Sequence, residues 1–311
     1  MSDRAPLTMH VPMVRRLTLL ACAALAVVAA GCGGSEPQLQ PLRSLTGVAK
    51  ASQTAGTGRF ELSMQQTMPG MSQAFRFSAR GAFDLPAKRM QMQLDMSALA
   101  QVFGAFGSAL GGSSNDPKAK ALLDPANWKI DAVLDGFVMY MRMPFLGQQL
   151  PSGKSWVRMD LRQAAAAKGV DLGQLDSYVR SDPRQTLDYL RAVAGKIVPM
   201  GREDVRGTET TRYRAMLDLA KYGRMVPARQ QQAFGDFYKA ATQLGLTLVP
   251  VNVWVDDDGL LRRMDMELTL TPTAGKAAKS SLRFEMFDYG QPVSIEAPPA
   301  EQTVDASSLR G

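Results

Sequence analysis

The chain has 311 residues, 45% hydrophobic and 21% charged, with 36 Lys and Arg against 29 Asp and Glu, one histidine and two cysteines. The histidine, His10, and one cysteine, Cys22, precede Gly31, so a mature chain that begins at Cys32 has no imidazole and no thiol free of lipid. That excludes Ser-His-Asp and Cys-His catalysis, His or Cys zinc sites and a disulfide framework, and the dispersed positive charge lacks the arginine-rich runs of a nucleic-acid module.

The N-terminus opens with Arg15-Arg16 followed by an uncharged Leu, Ala and Val stretch over residues 17–30, an h-region too short to be a dependable membrane span. It ends in Ala29-Ala30-Gly31-Cys32, which resembles a lipobox, although lipoboxes usually carry Leu where this chain has Ala29. Residues 1–31 therefore read as a lipoprotein signal peptide, and the sulfur of Cys32 as the atom that is acylated to anchor the chain on the outer side of a cell membrane. Met9 and Met13 are alternative starts. Residues 32–40 carry Gly, Ser and Pro and read as a flexible tether; Leu42, Leu45, Val48 and Ala51 then fit one face of a short helix stopped near Gly56.

Beyond Gly56 the apolar period changes to two. Phe60, Leu62 and Met64 alternate with polar residues, as do Phe75, Phe77, Ala79 and Phe83, and then Met90, Met92, Leu94 and Met96. These predict three successive antiparallel strands with one wet and one apolar face. Residues 97–115 contain no charge and place Leu99, Val102, Phe103, Phe106 and Leu110 at helical spacing among four glycines. Two readings stand: a loose helix packed on the core, or a mobile flap that meets lipid.

Strands resume with Trp128, Ile130, Ala132 and Leu134, turn at Asp135-Gly136, and return through Phe137, Met139, Met141 and Met143. Val157, Met159 and Leu161 continue the series. Residues 161–195 switch to helix, with Asp182-Pro183 starting one and Leu187, Leu190 and Val193 along its face. Thr211, Tyr213, Ala215, Leu217 and Leu219 predict a strand, and residues 227–244 a helix stopped by Gly245. The last hairpin sets Val249, Val251, Val253 and Val255 against Met264, Met266, Leu268 and Leu270 across an Asp256-Asp257-Asp258-Gly259 turn, and Leu282, Phe284 and Met286 form the final strand. The aspartate run lacks the alternate-position ligands and terminal Glu of a calcium loop and reads as a hairpin turn. Residues 300–311 read as an unstructured tail.

Val253-Trp254-Val255-Asp256-Asp257-Asp258-Gly259-Leu260-Leu261-Arg262-Arg263, the later Phe287-Asp288-Tyr289-Gly290-Gln291-Pro292-Val293, and Ile295-Glu296-Ala297-Pro298-Pro299 are similar to the closing strands of the actinobacterial lipoproteins LppX, LprA, LprF and LprG. Gly207-Thr208-Glu209-Thr210-Thr211-Arg212-Tyr213 resembles the strand that precedes them. The resemblance is clearest over residues 200–299 and differs in a longer middle at 97–126 and 161–205. It implies an α+β fold for residues 41–299: a half-open antiparallel β-barrel of ten to eleven strands with helices on its concave face, related to the LolA and LolB carriers and to RseB.

The function implied is binding and transfer of lipid or lipoglycan acyl chains. The alternative is an RseB-like sensor that docks another envelope protein. Neither an enzyme nor a cofactor or metal is expected, and the chain is expected to be a monomer. The positions expected to line the cavity are Phe60, Leu62, Met64, Phe75, Phe77, Met90, Met92, Leu94, Met139, Met141, Tyr213, Leu217, Met264, Met266, Leu268, Phe284 and Met286. Methionine, unbranched and polarizable, suits a surface that receives varied alkyl chains and equally fills gaps in an ordinary core.

Overall fold

A computed structural model describes residues 56–67, 74–109, 117–166, 197–226, 231–243, 245–270 and 278–309. The leader, Cys32, the tether and the helices expected at 42–56 and 182–195 lie outside these residues.

The first half of the chain forms β1 (Thr57–Gln66), β2 (Phe75–Asp84), β3 (Arg89–Asp95), helices α1 (Ala98–Ala109) and α2 (Pro117–Leu123), β4 (Lys129–Asp135), β5 (Val138–Arg142), β6 (Trp156–Asp160) and α3 (Leu161–Ala166). The second half supplies β7 (Ile197–Val205), β8 (Thr208–Asp218), α4 (Leu219–Met225), α5 (Gln231–Gln243), β9 (Leu248–Asp256), β10 (Leu261–Leu270), β11 (Ala278–Phe287) and β12 (Thr303–Asp305). All twelve strands join one sheet in the order β12-β6-β5-β4-β3-β2-β1-β11-β10-β9-β8-β7. Neighbours are antiparallel except β12, which runs parallel to β6. The sheet does not close on itself, and β7 and β12 are its edges.

Hairpin chemistry sets the register. Gly136, Gly207 and Gly259 turn at positive φ, and the Asp256 carboxylate accepts from the Leu260 amide at 2.7 Å to pin the β9–β10 turn. In the β1–β2 ladder Phe60 opposes Gly81 and Phe83 opposes Gly58. A Cβ on Gly81 would lie 2.6 Å from the Phe60 ring and 2.2 Å from the Gln91 carbonyl oxygen. Each ring thus covers the backbone of the glycine it faces, a packing that any side chain there would displace.

Two strands were not legible as alternating runs. β7 contains Pro199 and a bulge between Pro199 and Gly201, which break the period of two; both are tolerated because the strand pairs on one side only. β12 corrects the expectation of an unstructured tail. Residues 291–299 cross the outer face of the sheet, where Ile295 is buried with Ala82 and Val133 against Tyr140, Trp156 and Val293. The chain then joins the edge of β6: Arg158 donates to Asp305 at 2.8 Å, Lys154 donates to the Glu301 carbonyl at 2.9 Å, and the Ser155 amide donates to the Gln302 carbonyl. The strap therefore covers what would be a free edge.

Several boundaries move by a residue or more. Trp128 lies in a short 3-10 turn, Met143 flanks a second one, Phe137 belongs to the β4–β5 turn, and Leu161 and Leu219 open helices. Helix α4 begins directly from β8 because the Asp218 carboxylate accepts from the amides of Ala220 and Lys221 at 2.9 and 3.1 Å. α5 stops as expected at Gly245, which takes positive φ while the Leu246 amide donates back to the Ala241 carbonyl.

Candidate functional site

The register places every expected cavity position on one face of the sheet. One row runs Tyr213, Val253, Met264, Phe284, Leu62, Ala79, Leu94 and Ile130, each directly opposite the next. The neighbouring rows carry Leu217, Met266, Leu268, Met64, Phe75 and Phe77 on one side of it, and Met286, Phe60, Met92, Met90, Met141 and Met139 on the other. The same face also presents Leu134, Val157 and Met159, which carried the same alternation but were not singled out.

This inner face has two different halves. Over β8 to β11 it is sealed: Ala215, Leu217, Val249, Val251, Met266 and Leu282 are buried together with Leu219 and Ala241, while Tyr222 of α4 and Tyr238 of α5 pack on them. Leu62, Met264, Leu268 and Phe284 flank this core and are half-buried. Over β3 to β6 the inner face is not sealed. Met92, Leu94, Ile130, Ala132, Leu134, Met139, Met141, Val157 and Met159 are all half-buried and Met90 is exposed. The buried residue of β4, Val133, is on the opposite face under the strap.

The inner apolar field of β3 to β6 remains in partial contact with solvent, and on the outer face of these strands only Val133 is buried, under the strap. Phe60, Met64 and Phe75 at the junction are buried, and Tyr213 is buried against Val255. An aromatic stack closes one end of this field: Phe103 of α1 lies 5.2 Å from Trp128, which lies 5.3 Å from Phe145. The expected helix at 97–115 is therefore α1, and its Phe103 packs on Trp128 while staying exposed.

The outer face is polar and held by charge. Glu285 is buried and accepts from Arg206 and from Arg263, each at 2.7 Å, and Arg206 also donates to Glu61. Burial of Glu285 acts to raise its pKa, but the bonds from Arg206 and Arg263 outweigh it and hold the carboxyl below its ordinary value. Farther along, Arg142 donates to Asp131 at 2.6 Å, Gln93 donates to the same carboxylate at 3.0 Å, and Arg80 donates to Gln93. A groove of about 460 Å³ crosses this face over Ser63 and Ser78, walled by Arg80, Lys129, Arg283 and Glu285. Its charged lining makes it a poor place for an alkyl chain, so the inner field is the candidate site. Among the described residues no group of three His, Cys, Asp or Glu side chains is placed to hold a metal ion.

No family model matches the chain. A Streptomyces griseus relative, described as an uncharacterized 31.2 kDa protein in the rplA-rplJ intergenic region, is 29% identical over 160 residues, 50% of this chain. The chain spans about half the length of that relative, 50% of it. Among solved structures the fold is similar to the Mycobacterium tuberculosis lipoprotein LppX, with 11% identity and a TM-score of 0.42 over 82% of this chain and 97% of that one. It is similar also to LprF from Mycobacterium bovis, with 14% identity and a TM-score of 0.42 over 85% and 99%.

Proposed function

We propose that this chain is an envelope lipoprotein, anchored through acylated Cys32, that binds lipid or lipoglycan acyl chains on the inner face of β3 to β6 and carries them without covalent chemistry. The observation that carries the reading is the half-buried methionine and leucine field, on strands whose outer face carries the small core of Val133 and Ile295 beneath the strap. A contiguous apolar surface of this kind is unfavourable in water and calls for an apolar occupant. Each methylene of a chain laid there contributes about 0.8 kcal/mol, so partial enclosure of a long acyl chain offsets much of the cost of drawing it from a bilayer. Met90, Met92, Met139, Met141 and Met159 adapt their rotamers to chains of different length and unsaturation. No proton transfer or bond cleavage is needed, and the charged groups of the outer face serve the sheet.

The test is extraction and mass spectrometry of lipid from the full protein purified from its own host. Acyl lipid near one equivalent per chain, displaced by a fluorescent fatty acid, is the expected result. Repeatedly empty protein that fails to take up the fatty acid would overturn the carrier reading and put an envelope partner-binding module in its place.

A further inference from the structure

Phe103, Leu123, Met216 and Leu248 are exposed at one end of the sheet, where five cations without an ion pair among the described residues also lie; exposed Leu85, Met90 and Leu309 lie toward the other end. At that end β3 runs out at Asp95 into α1, β8 runs out at Asp218 into α4, and β9 starts at Leu248. Phe103 is 41% exposed there, next to exposed Leu123 of α2, whose side chain approaches Gly104. On the outer face of the same end Met216 is 39% and Leu248 48% exposed, in adjacent rows opposite Pro250 and Asp218. Single exposed apolar residues need no explanation. These, however, stand among Arg76, Lys120, Lys221, Arg224 and Lys279, which are exposed and make no ion pair among the described residues.

The opposite end differs in charge. Its turns carry Asp84, Asp135, Asp204, Asp257, Asp258 and Asp288, and the cations beside them are engaged: Arg89 pairs with Asp135, Arg59 with Asp288 and Arg202 with Asp257. Cations without an ion pair among the described residues thus collect at one end, beside Asp95, Asp124 and Asp218, while the turn aspartates at the other end hold the cations near them in pairs.

We propose that the α1 and β8–β9 end docks on the surface of an anionic bilayer. Each Lys or Arg near such a surface contributes about 1 kcal/mol of attraction, and exposed Phe, Leu and Met enter the boundary between headgroups and acyl chains. The aspartate-rich end is repelled, which fixes the orientation. The same end borders the inner field at the stack of Phe103, Trp128 and Phe145, so a chain leaving the leaflet first meets an apolar surface. The domain starts at Thr57 in the aspartate-rich end, roughly 33 Å from the docking end along a ten-residue strand. Residues 33–56 span at most about 80 Å, so an anchor at Cys32 permits this orientation. The choice of a bilayer as the occupant rests on the envelope-lipoprotein reading above.

The test uses the full acylated chain in vesicles of phosphatidylglycerol and phosphatidylcholine whose acyl chains carry bromine as a quencher. A fluorophore is attached at Gln101→Cys or Leu248→Cys at the proposed docking end, and at Leu85→Cys or Leu309→Cys at the other. Quenching several-fold stronger at positions 101 and 248 is expected, and the difference should disappear in pure phosphatidylcholine and at high salt. Met216→Glu in the chain labelled at position 101 should weaken the quenching. Equal quenching at both ends, or stronger quenching at 85 and 309, overturns the docking surface. Lipid extracted from the same preparations separates the two ideas: bound lipid without an end preference sinks the docking surface alone, and an end preference without bound lipid supports docking and sinks the carrier.

Discussion

Met92 and Met266 lie on the same face of the sheet in opposite surroundings, and truncating each to Ala distinguishes a binding surface from a core. Met266 is 6% exposed, packed with Val251, Leu282 and Ala241 beneath the helices. Met266→Ala should cost about 2–5 kcal/mol, the range for deleting a buried side chain that leaves a cavity, and lower Tm by about 5–15 °C for a domain of this size. Met92 is half-buried; its ladder partners are Gly81, covered by the Phe60 ring, and Ala132, and it stands outside the core sealed by α4 and α5. Met92→Ala should cost about 1 kcal/mol or less in the lipid-free protein. If an acyl chain lies against Met92 and Ala132, the same truncation removes about 1 kcal/mol of contact and weakens binding about fivefold. Urea denaturation of lipid-free protein reads the first quantity, and displacement of a fluorescent fatty acid reads the second. Equal destabilisation by the two substitutions, with fatty-acid binding unchanged in Met92→Ala, would mean that β3 to β6 carry ordinary core and refute the reasoning.

The Glu285 carboxyl has a folded pKa below its ordinary value of 4.5, so the unfolded chain binds the proton first; its stabilisation is full above pH 4.5 and is lost as pH falls through the folded value. Urea midpoints measured from pH 7 down to pH 3 should show this loss, and Glu285→Gln should be less stable at pH 7 with a shallower decline. Ile295→Ala should lower stability by about 2–4 kcal/mol in thermal unfolding, because Ile295 is 5% exposed in the cluster that seals the outer face; a change within error would show that the strap is not part of the core. Cys32→Ala should move the protein from the membrane to the soluble fraction, since the proposed anchor is two or three acyl chains on Cys32, where a single chain would hold only marginally. Amide exchange across α1 should slow when lipid binds, because a helix with no charge and two internal glycines, Gly104 and Gly107, gains order from an apolar partner; equal protection with and without lipid would make it a structural helix.

The alternating runs carried most of the sheet. Met90, Met92 and Leu94 on β3, or Met264, Met266 and Leu268 on β10, place their apolar face without ambiguity because a slip of one residue would expose all three. The same rule brought all the expected cavity positions onto one face, since each ladder passes the parity on to its neighbour. β7 and β12 escaped for physical reasons. Pro199 and the Gly201 bulge erase the period in β7, and Thr303-Val304-Asp305 is too short to show one. What the sequence could not reveal is the division of that face into a sealed and a half-buried part. Met92 and Met266 are both methionines at inward parity; what distinguishes them is which strands α4 and α5 come to cover, a long-range property absent from any local window.

The strap explains how the β3 to β6 half can leave its inner face partly open and still hold its shape. A sheet with one apolar face exposed is unstable unless its strands are fixed by something else. Here Ile295 and Val293 supply a small core on the outer side, packed on Ala82, Val133, Tyr140 and Trp156, and β12 pairs the edge of β6. The guanidinium of Arg142 tightens the same strands by bonding across to Asp131 while lying 5.4 Å from the Trp156 ring. Under the proposed carrier function, reception falls on the inner face of these strands and the strap's small core on the outer. A lipid can then occupy the inner side without replacing contacts on which the fold depends, and its departure leaves the outer core intact. For a carrier that must exist both loaded and empty, that separation matters more than the tightness of any single contact.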